Sequence, residues 1–396
     1  MKKQLLHTPE GVRDIYNEEC EKKLVLQSDL LRILKGYGYH PIQTPTFEFF
    51  DIFGKEIGTT PSKELYKFFD REGNTLVLRP DMTPSIARAA AKYFMDEDMP
   101  IRLCYMGNTF INNSSYQGRL KESTQLGAEL IGDSTVDADA EILSMVVECL
   151  KKSGLKEFQL SVGHADFFQG LVEAAGISEE DEEELRELLA NKNFFGVEEF
   201  AETLNLKFEL NELFHMLGSL NIDLNDLKRA KELAASYPRI LAAIHNLEEL
   251  HKVLEVYGIN KYISFELGII SSYQYYTGII FSGYTFGSGE PIVKGGRYDK
   301  LLTYYGKTSA SIGFAIVIDQ LMAALSRQKI NISIDNHSEL IVYTKENQAN
   351  AILTAKEKRA AGTPVEIILK DTAKTNEDYQ NYAKRNRIQT VIFMED

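Results

Sequence analysis

The chain has 396 residues, 44% of them hydrophobic and 26% charged, and a formal charge of −14 at pH 7. Such a length suits two or three domains with a sizeable core, and the composition excludes collagen-like, low-complexity and wholly disordered chains. No apolar run nears 18 residues, and so acidic a balance lacks the basic field of a nucleic-acid binder; neither membrane nor nucleic acid is an expected partner.

The opening MKKQLLHTPEGVRD turns polar too soon for a secretory leader, so a cytoplasmic location is expected. Cys20, Cys104 and Cys149 lie far apart, which suits buried thiols better than disulfides or a zinc site. Seven histidines occur without HxxxH or HExxH spacing, so no metal and no cofactor is expected.

Leu26, Leu30, Ile33 and Leu34 share one helical face, which predicts a helix over 18–36 stopped by Gly36. Pro41 and Pro45 hold 40–48 extended. Residues 65–70 and 75–80 read as a hairpin around Arg-Glu-Gly-Asn. Thr83 and Pro84 predict a helix start, with Thr83 as N-cap and Pro84 at the first helical position. Strands are expected at 101–110 and 123–132, joined by a polar loop, then a helix over 137–153 and a strand at 157–163. Residues 166–255 are rich in Leu and Glu and short of β-branched runs, which predicts an inserted helical module. Within it, 177–187 hold seven acids and one Arg: a solvated helix face opened by Ser178 as N-cap, or a docking site for a basic partner.

Strand patterns return at 263–270, 275–286 and 291–296, and 310–325 is apolar and ends as a helix. Polar 328–338 reads as a linker, and strands alternate with helices from there to the end. The expected domains are therefore a core of 1–165 with 256–327, a helical insertion of 166–255, and a small α/β module of 335–396. The last holds nine Lys and Arg against ten Asp and Glu, too little positive potential to read tRNA.

Seven stretches in this order resemble the histidyl-tRNA synthetase family and its catalytically silent relatives. They are TPEGVRD (8–14), GYHPIQTPTFE (38–48), LRPDMT (78–83), the strand-loop-strand of 101–132, YYTG (275–278), GGRYD (295–299) and SIGFAI (311–316). The resemblance implies a class II synthetase-like α+β fold, an antiparallel sheet flanked by helices, with the segment around Pro45 forming the homodimer. The C-terminal module resembles a truncated anticodon-binding domain, which leaves a degenerate remnant, a dimer-packing element or a contact for another protein as its expected roles.

The departures from that pattern bear on function. Active members read Phe-Arg-x-Glu-Arg in motif 2, where this chain has Phe110, Ile111, Asn112, Asn113 and Ser114. They carry Arg-Gly-Leu-Asp before the paired tyrosines, where Ser271 to Gln274 stand, and Glu-Arg in motif 3, where Asp319 and Gln320 stand. Ile111, Asn113, Ser271 and Gln320 are thus lost catalytic positions, and three cations that would face a triphosphate are neutral. Each such charge-assisted hydrogen bond contributes about 1.5–3 kcal/mol, so activation of an amino acid is not expected unless Lys294, Arg119 or Lys121 compensates.

The amino-acid side matches instead. Asp81 and Thr83 match the positions that receive the substrate α-amine; Tyr275 and Tyr276 match the tyrosines lining the imidazole pocket. Gln125 and Glu129, four apart on one strand, face the same way by alternation. GGRYD is expected to support the pocket or to contact the ligand. The pattern resembles the regulatory subunits of ATP phosphoribosyltransferase. It implies a non-catalytic partner required by the short catalytic subunit in the first step of histidine biosynthesis, with free histidine as feedback effector and a homodimer inside a hetero-oligomer. The loop 112–121 is the expected moving part. Other readings are an active synthetase with an unusual ATP site and a free-standing histidine sensor.

Overall fold

The computed structural model describes residues 6–54, 60–113, 120–270, 275–334 and 337–395. The chain forms two compact units, Met1–Ile332 and Ser333–Asp396.

In the first unit α1 (Asn17–Gly36) leads to β1 (His40–Pro41), then to an antiparallel sheet of β2 (Phe47–Phe49), β3 (Lys67–Phe69) and β4 (Thr75–Leu78), and to α2 (Thr83–Tyr93). The ten-residue strands β5 (Ile101–Phe110) and β6 (Glu122–Ile131) pair antiparallel, followed by α3 (Val136–Lys152) and β7 (Phe158–His164). Next come the helices α4 (Ala165–Ala175), α5 (Glu179–Ala190), α6 (Phe194–Thr203), α7 (Phe208–His215), α8 (Leu224–Leu233) and α9 (Pro238–Tyr257). The unit closes with β8 (Ile263–Phe265), β9 (Ile279–Thr285), β10 (Val293–Arg297), β11 (Ser311–Val317) and α10 (Ile318–Arg327).

Eight strands build the main sheet in the order β1-β5-β6-β11-β10-β9-β7-β8. Its inner pairs are antiparallel, whereas β1 with β5 and β7 with β8 are parallel. The sheet is therefore mixed at both edges. A parallel neighbour needs a long crossover, and the six helices between β7 and β8 supply one. Alternation splits the two faces. Leu126, Ala128 and Leu130 of β6 join the large core beneath α1, α3, α9 and α10, while Gln125 and Glu129 face the other way. On that second face Met82, Ile86, Tyr105, Tyr275 and Tyr298 form a smaller cluster with α2.

Three local expectations change. Thr83 is the first residue of α2, not its cap, because its hydroxyl is drawn to Glu129. The strand expected over 263–270 stops at Phe265; beyond it Leu267 is buried from a turn and Gly268 packs on the Leu217 carbonyl. The strand expected from 275 begins at Ile279, since Thr277 N–H donates to Arg297 O outside the β9 ladder. Ser178 caps α5, its Oγ accepting from Asp181 N.

The second unit is a parallel sheet in the order β13-β12-β14, built from β12 (Glu339–Tyr343), α11 (Gln348–Ala360), β13 (Val365–Leu369), α12 (Asn376–Arg385) and β14 (Thr390–Met394). Ala351 and Ala355 of α11 pack on Ile341 and Tyr343; Tyr379 and Ala383 of α12 pack on Leu340 and Val342. One helix thus covers each face. No helix among the described residues is long and apolar enough to cross a membrane.

Candidate functional site

The site sits on the face of the main sheet away from α1 and α3. β6 carries its floor, Gln125 and Glu129, and the registers place Glu129 opposite Gly313 and Gly127 opposite Ala315. Gly313 is required there, because a Cβ would lie 1.6 Å from Glu129 Oε2. The wall comes from the turn before α2. Arg79, buried at its start, donates from Nε to Asn108 O at 2.8 Å and from Nη1 to Thr44 O at 2.9 Å and Pro45 O at 3.1 Å. Those bonds fix the segment that presents Asp81 and Thr83.

Glu129 is 1% exposed and Asp81 is 5% exposed, so the site holds two carboxyls removed from water. Thr83 Oγ1 donates to Glu129 Oε1 at 2.9 Å and Tyr298 Oη donates to Oε2 at 2.5 Å. Burial raises the Glu129 pKa to about 8 despite those donors, and the charge on Asp81 pushes the same way. Asp81 Oδ1 accepts from Met82 N at 2.8 Å and Oδ2 from Tyr275 Oη at 3.4 Å. Burial raises the Asp81 carboxyl too, against the hydrogen bonds from Met82 and Tyr275. Tyr275 stacks edge-on with Tyr298 and tilts against Tyr276. The Tyr298 hydroxyl is held far above its ordinary pKa by burial and by Glu129 beside it, so it stays a donor.

These groups enclose a narrow pocket of about 40 Å³ lined by Asp81, Thr83, Gln125, Glu129, Tyr276 and Lys294, among others. The space admits only a few waters. Gln125 Oε1 is buried and has no hydrogen-bond partner among the described residues, so it faces the pocket as an acceptor that a donor would satisfy. Among the described residues Lys294 is the cation of the lining. Two acidic groups, an open amide oxygen and hydroxyls suit a ligand that brings N–H donors. Among the described residues no group of three His, Cys, Asp or Glu could hold a metal ion.

The structure brings together Asp81, Thr83, Gln125, Glu129 and Tyr276 in the lining, with Tyr275 bonded to Asp81. Lys294, Tyr298 and Gly313 belong to the same site; Tyr298 and Gly313 lie inside the GGRYD and SIGFAI stretches, and that membership is the signal that could have placed them. Arg297 of GGRYD turns to the other side, where it bonds buried Asp139 at 2.6 Å. Ile111, Asn113 and Gln320 do not line the pocket. Ile111 bonds only through its backbone, to Lys121 O at 2.9 Å, and Asn113 Nδ2 donates to Leu120 O at 3.5 Å. Asp319, next to Gln320, takes Lys23 at 2.7 Å and Thr124 N at 2.6 Å. Ser271, Arg119 and most of the loop 112–121 lie outside the described residues.

The histidyl-tRNA synthetase family matches residues 11–321. An ATP phosphoribosyltransferase regulatory subunit of Acetivibrio thermocellus is 39% identical over 365 residues, covering 91% of this chain and 86% of that one. The chain belongs to the ATP phosphoribosyltransferase regulatory subunits. Another member of these regulatory subunits, from Ruminiclostridium cellulolyticum, is 38% identical over 396 residues, all of this chain and 94% of its own. A crystal structure from Bacillus halodurans, described as an ATP phosphoribosyltransferase regulatory subunit/histidyl-tRNA synthetase, superposes with a TM-score of 0.86 at 32% identity and covers 98% of each chain. Regulatory subunits of this family share the class II synthetase fold and are named as regulators of an enzyme, not as its catalyst.

Proposed function

We propose that this chain is the non-catalytic subunit that a short-form ATP phosphoribosyltransferase catalytic subunit requires for activity in the first step of histidine biosynthesis. Free histidine, bound at the Asp81–Glu129 pocket, supplies the feedback, and the chain acts in the cytoplasm as a homodimer within a hetero-oligomer. The observation that carries this reading is the pocket's chemistry. Two buried carboxyls and the open Gln125 Oε1 suit an α-amine and an imidazole N–H. Ile111, Asn113, Ser271 and Gln320 stand where active synthetases bring charge to a triphosphate.

Feedback requires that histidine bind one conformation of the complex more tightly than another. A ligand shifts an equilibrium only by such differential affinity, typically by about 1–3 kcal/mol of coupling. The loop 112–121 is the segment proposed to move.

The test is phosphoribosyl-ATP formation by the catalytic subunit with and without this chain, and with added histidine. Strong activation that histidine reverses, and that histidine no longer reverses in Asp81→Asn, is the expected result. No activation by folded protein overturns the reading. Lys294 in the lining favours a second one, an active synthetase with a substitute cation; histidine-dependent ATP–pyrophosphate exchange would reveal it.

A further inference from the structure

The pocket-bearing face of the main sheet extends past the pocket. Strand pairing sets Lys294 beside Ser282, Ser282 beside Ser161, and Ser161 beside Ser264, all on that face, with Tyr284 and Gln159 paired one step along. The opposite face of the same strands is Leu160, Val162 and Phe281, wholly buried. A sheet face so polar is made to meet water or a polar ligand.

Over it lies a cleft of about 580 Å³, inside the range of small-molecule sites, and separate in its lining from the Asp81–Glu129 pocket. Strand residues form its floor, and its rim comes from the turn after α5, from Asn221, and from Asn260 and Lys261 before β8. Two lysines line it. Lys192 Nζ rests 5.4 Å from the Tyr284 ring and Lys261 Nζ 4.9 Å from the Tyr262 ring, and neither makes an ion pair among the described residues. Lys192 also occupies the left-handed conformation that ends α5, φ +54°, where glycine is the usual residue. Among the described residues the cleft holds one carboxylate: Glu266, half-buried, whose Oε1 accepts from Ser161 Oγ at 2.6 Å.

We propose that this cleft binds a phosphorylated sugar, Lys192 and Lys261 holding the phosphate and Glu266 with the flanking amides holding the hydroxyls. Each part of the chemistry excludes a simpler ligand. A bare polyanion would be opposed by Glu266, a neutral sugar has no use for two unpaired ammonium groups, and an apolar molecule would leave the serine, glutamine and tyrosine floor unsatisfied. A carboxylate accepting from sugar hydroxyls beside a cationic phosphate grip satisfies all of them.

The experiment is calorimetric titration of the full chain with ribose 5-phosphate, with inorganic phosphate and ribose as separate arms. Saturable binding of ribose 5-phosphate is expected, tighter than either fragment and at least tenfold weaker in Lys192→Ala/Lys261→Ala. Both lysines are exposed, so an unchanged melting curve will show that the double variant is folded. Glu266→Gln is expected to weaken ribose 5-phosphate severalfold while leaving inorganic phosphate bound as well or better. Absence of saturable binding at millimolar ligand, or a double-lysine variant that binds like the parent, overturns the proposal. Neither outcome touches the Asp81–Glu129 reading, which rests on other residues.

Discussion

Glu129 shows how far a single side chain can be read from its neighbours. Its spacing from Gln125 is enough to place both on one face, but nothing local says that it is closed off from water or that Tyr298 and Thr83 both donate to it. Burial makes it a site of pH dependence. Folded, the carboxyl keeps its proton up to about pH 8; unfolded, it loses it near 4.5. Between those values the folded state binds the extra proton, so this group's contribution to stability falls as pH rises through that window. Glu129→Gln is therefore expected to flatten the decline of unfolding free energy between pH 5 and pH 9, read from urea unfolding, by an amount on the order of a few kcal/mol at the alkaline end. A decline as steep in the variant as in the parent would remove Glu129 as its source. Gly313→Ala tests the same contact sterically. The methyl would overlap Glu129 Oε2, and overpacking of this kind costs about 1–3 kcal/mol, to be read from the urea midpoint.

At the level of elements, periodicity located the long pieces and tertiary contacts set their ends. α1, β5, β6 and α3 fall close to where their apolar patterns place them, because each pattern runs for ten residues or more. The starts of β9 and α2 do not, since Thr277 and Thr83 answer to partners remote in sequence, Arg297 and Glu129. GGRYD divides for the same reason: Arg297, the last residue of β10, and Tyr298, just past its end, point to opposite faces, so Tyr298 enters the pocket and Arg297 joins Asp139 at the start of α3. Asp139 is 1% exposed, and burial raises its pKa to about 6 even with the guanidinium beside it. Arg297 cannot shed its charge. Asp139→Ala should thus strand a buried cation and destabilise the fold by about 3–5 kcal/mol, measured by urea unfolding. A change below 1 kcal/mol would mean that the Asp299 carboxylate and the carbonyls of Asp133 and Thr135, which also accept from Arg297, hold the charge without Asp139.

For the whole molecule, the two units have separate cores: the C-terminal sheet closes on its own two helices through Leu340, Val342, Ile341 and Tyr343. Among the described residues the pocket draws only on positions between Asp81 and Val317. A chain ending at Ile332 is expected to unfold cooperatively and to bind histidine within about threefold of the full chain by calorimetry. Loss of binding from a folded truncation would give the last 64 residues, nearly all the charge balance of which cancels, a direct part in the pocket. What the sequence by itself determined was composition class, the order of elements, the family, and which residues match the family's pocket pattern, because motif and periodicity are properties of neighbours along a chain. Tertiary structure decided the parallel edges of the main sheet, the protonation of Glu129, the pocket role of Tyr298 and Gly313, and the second polar cleft. Each of those depends on burial and on strand register between segments a hundred or more residues apart, and neither is written in any local stretch of sequence.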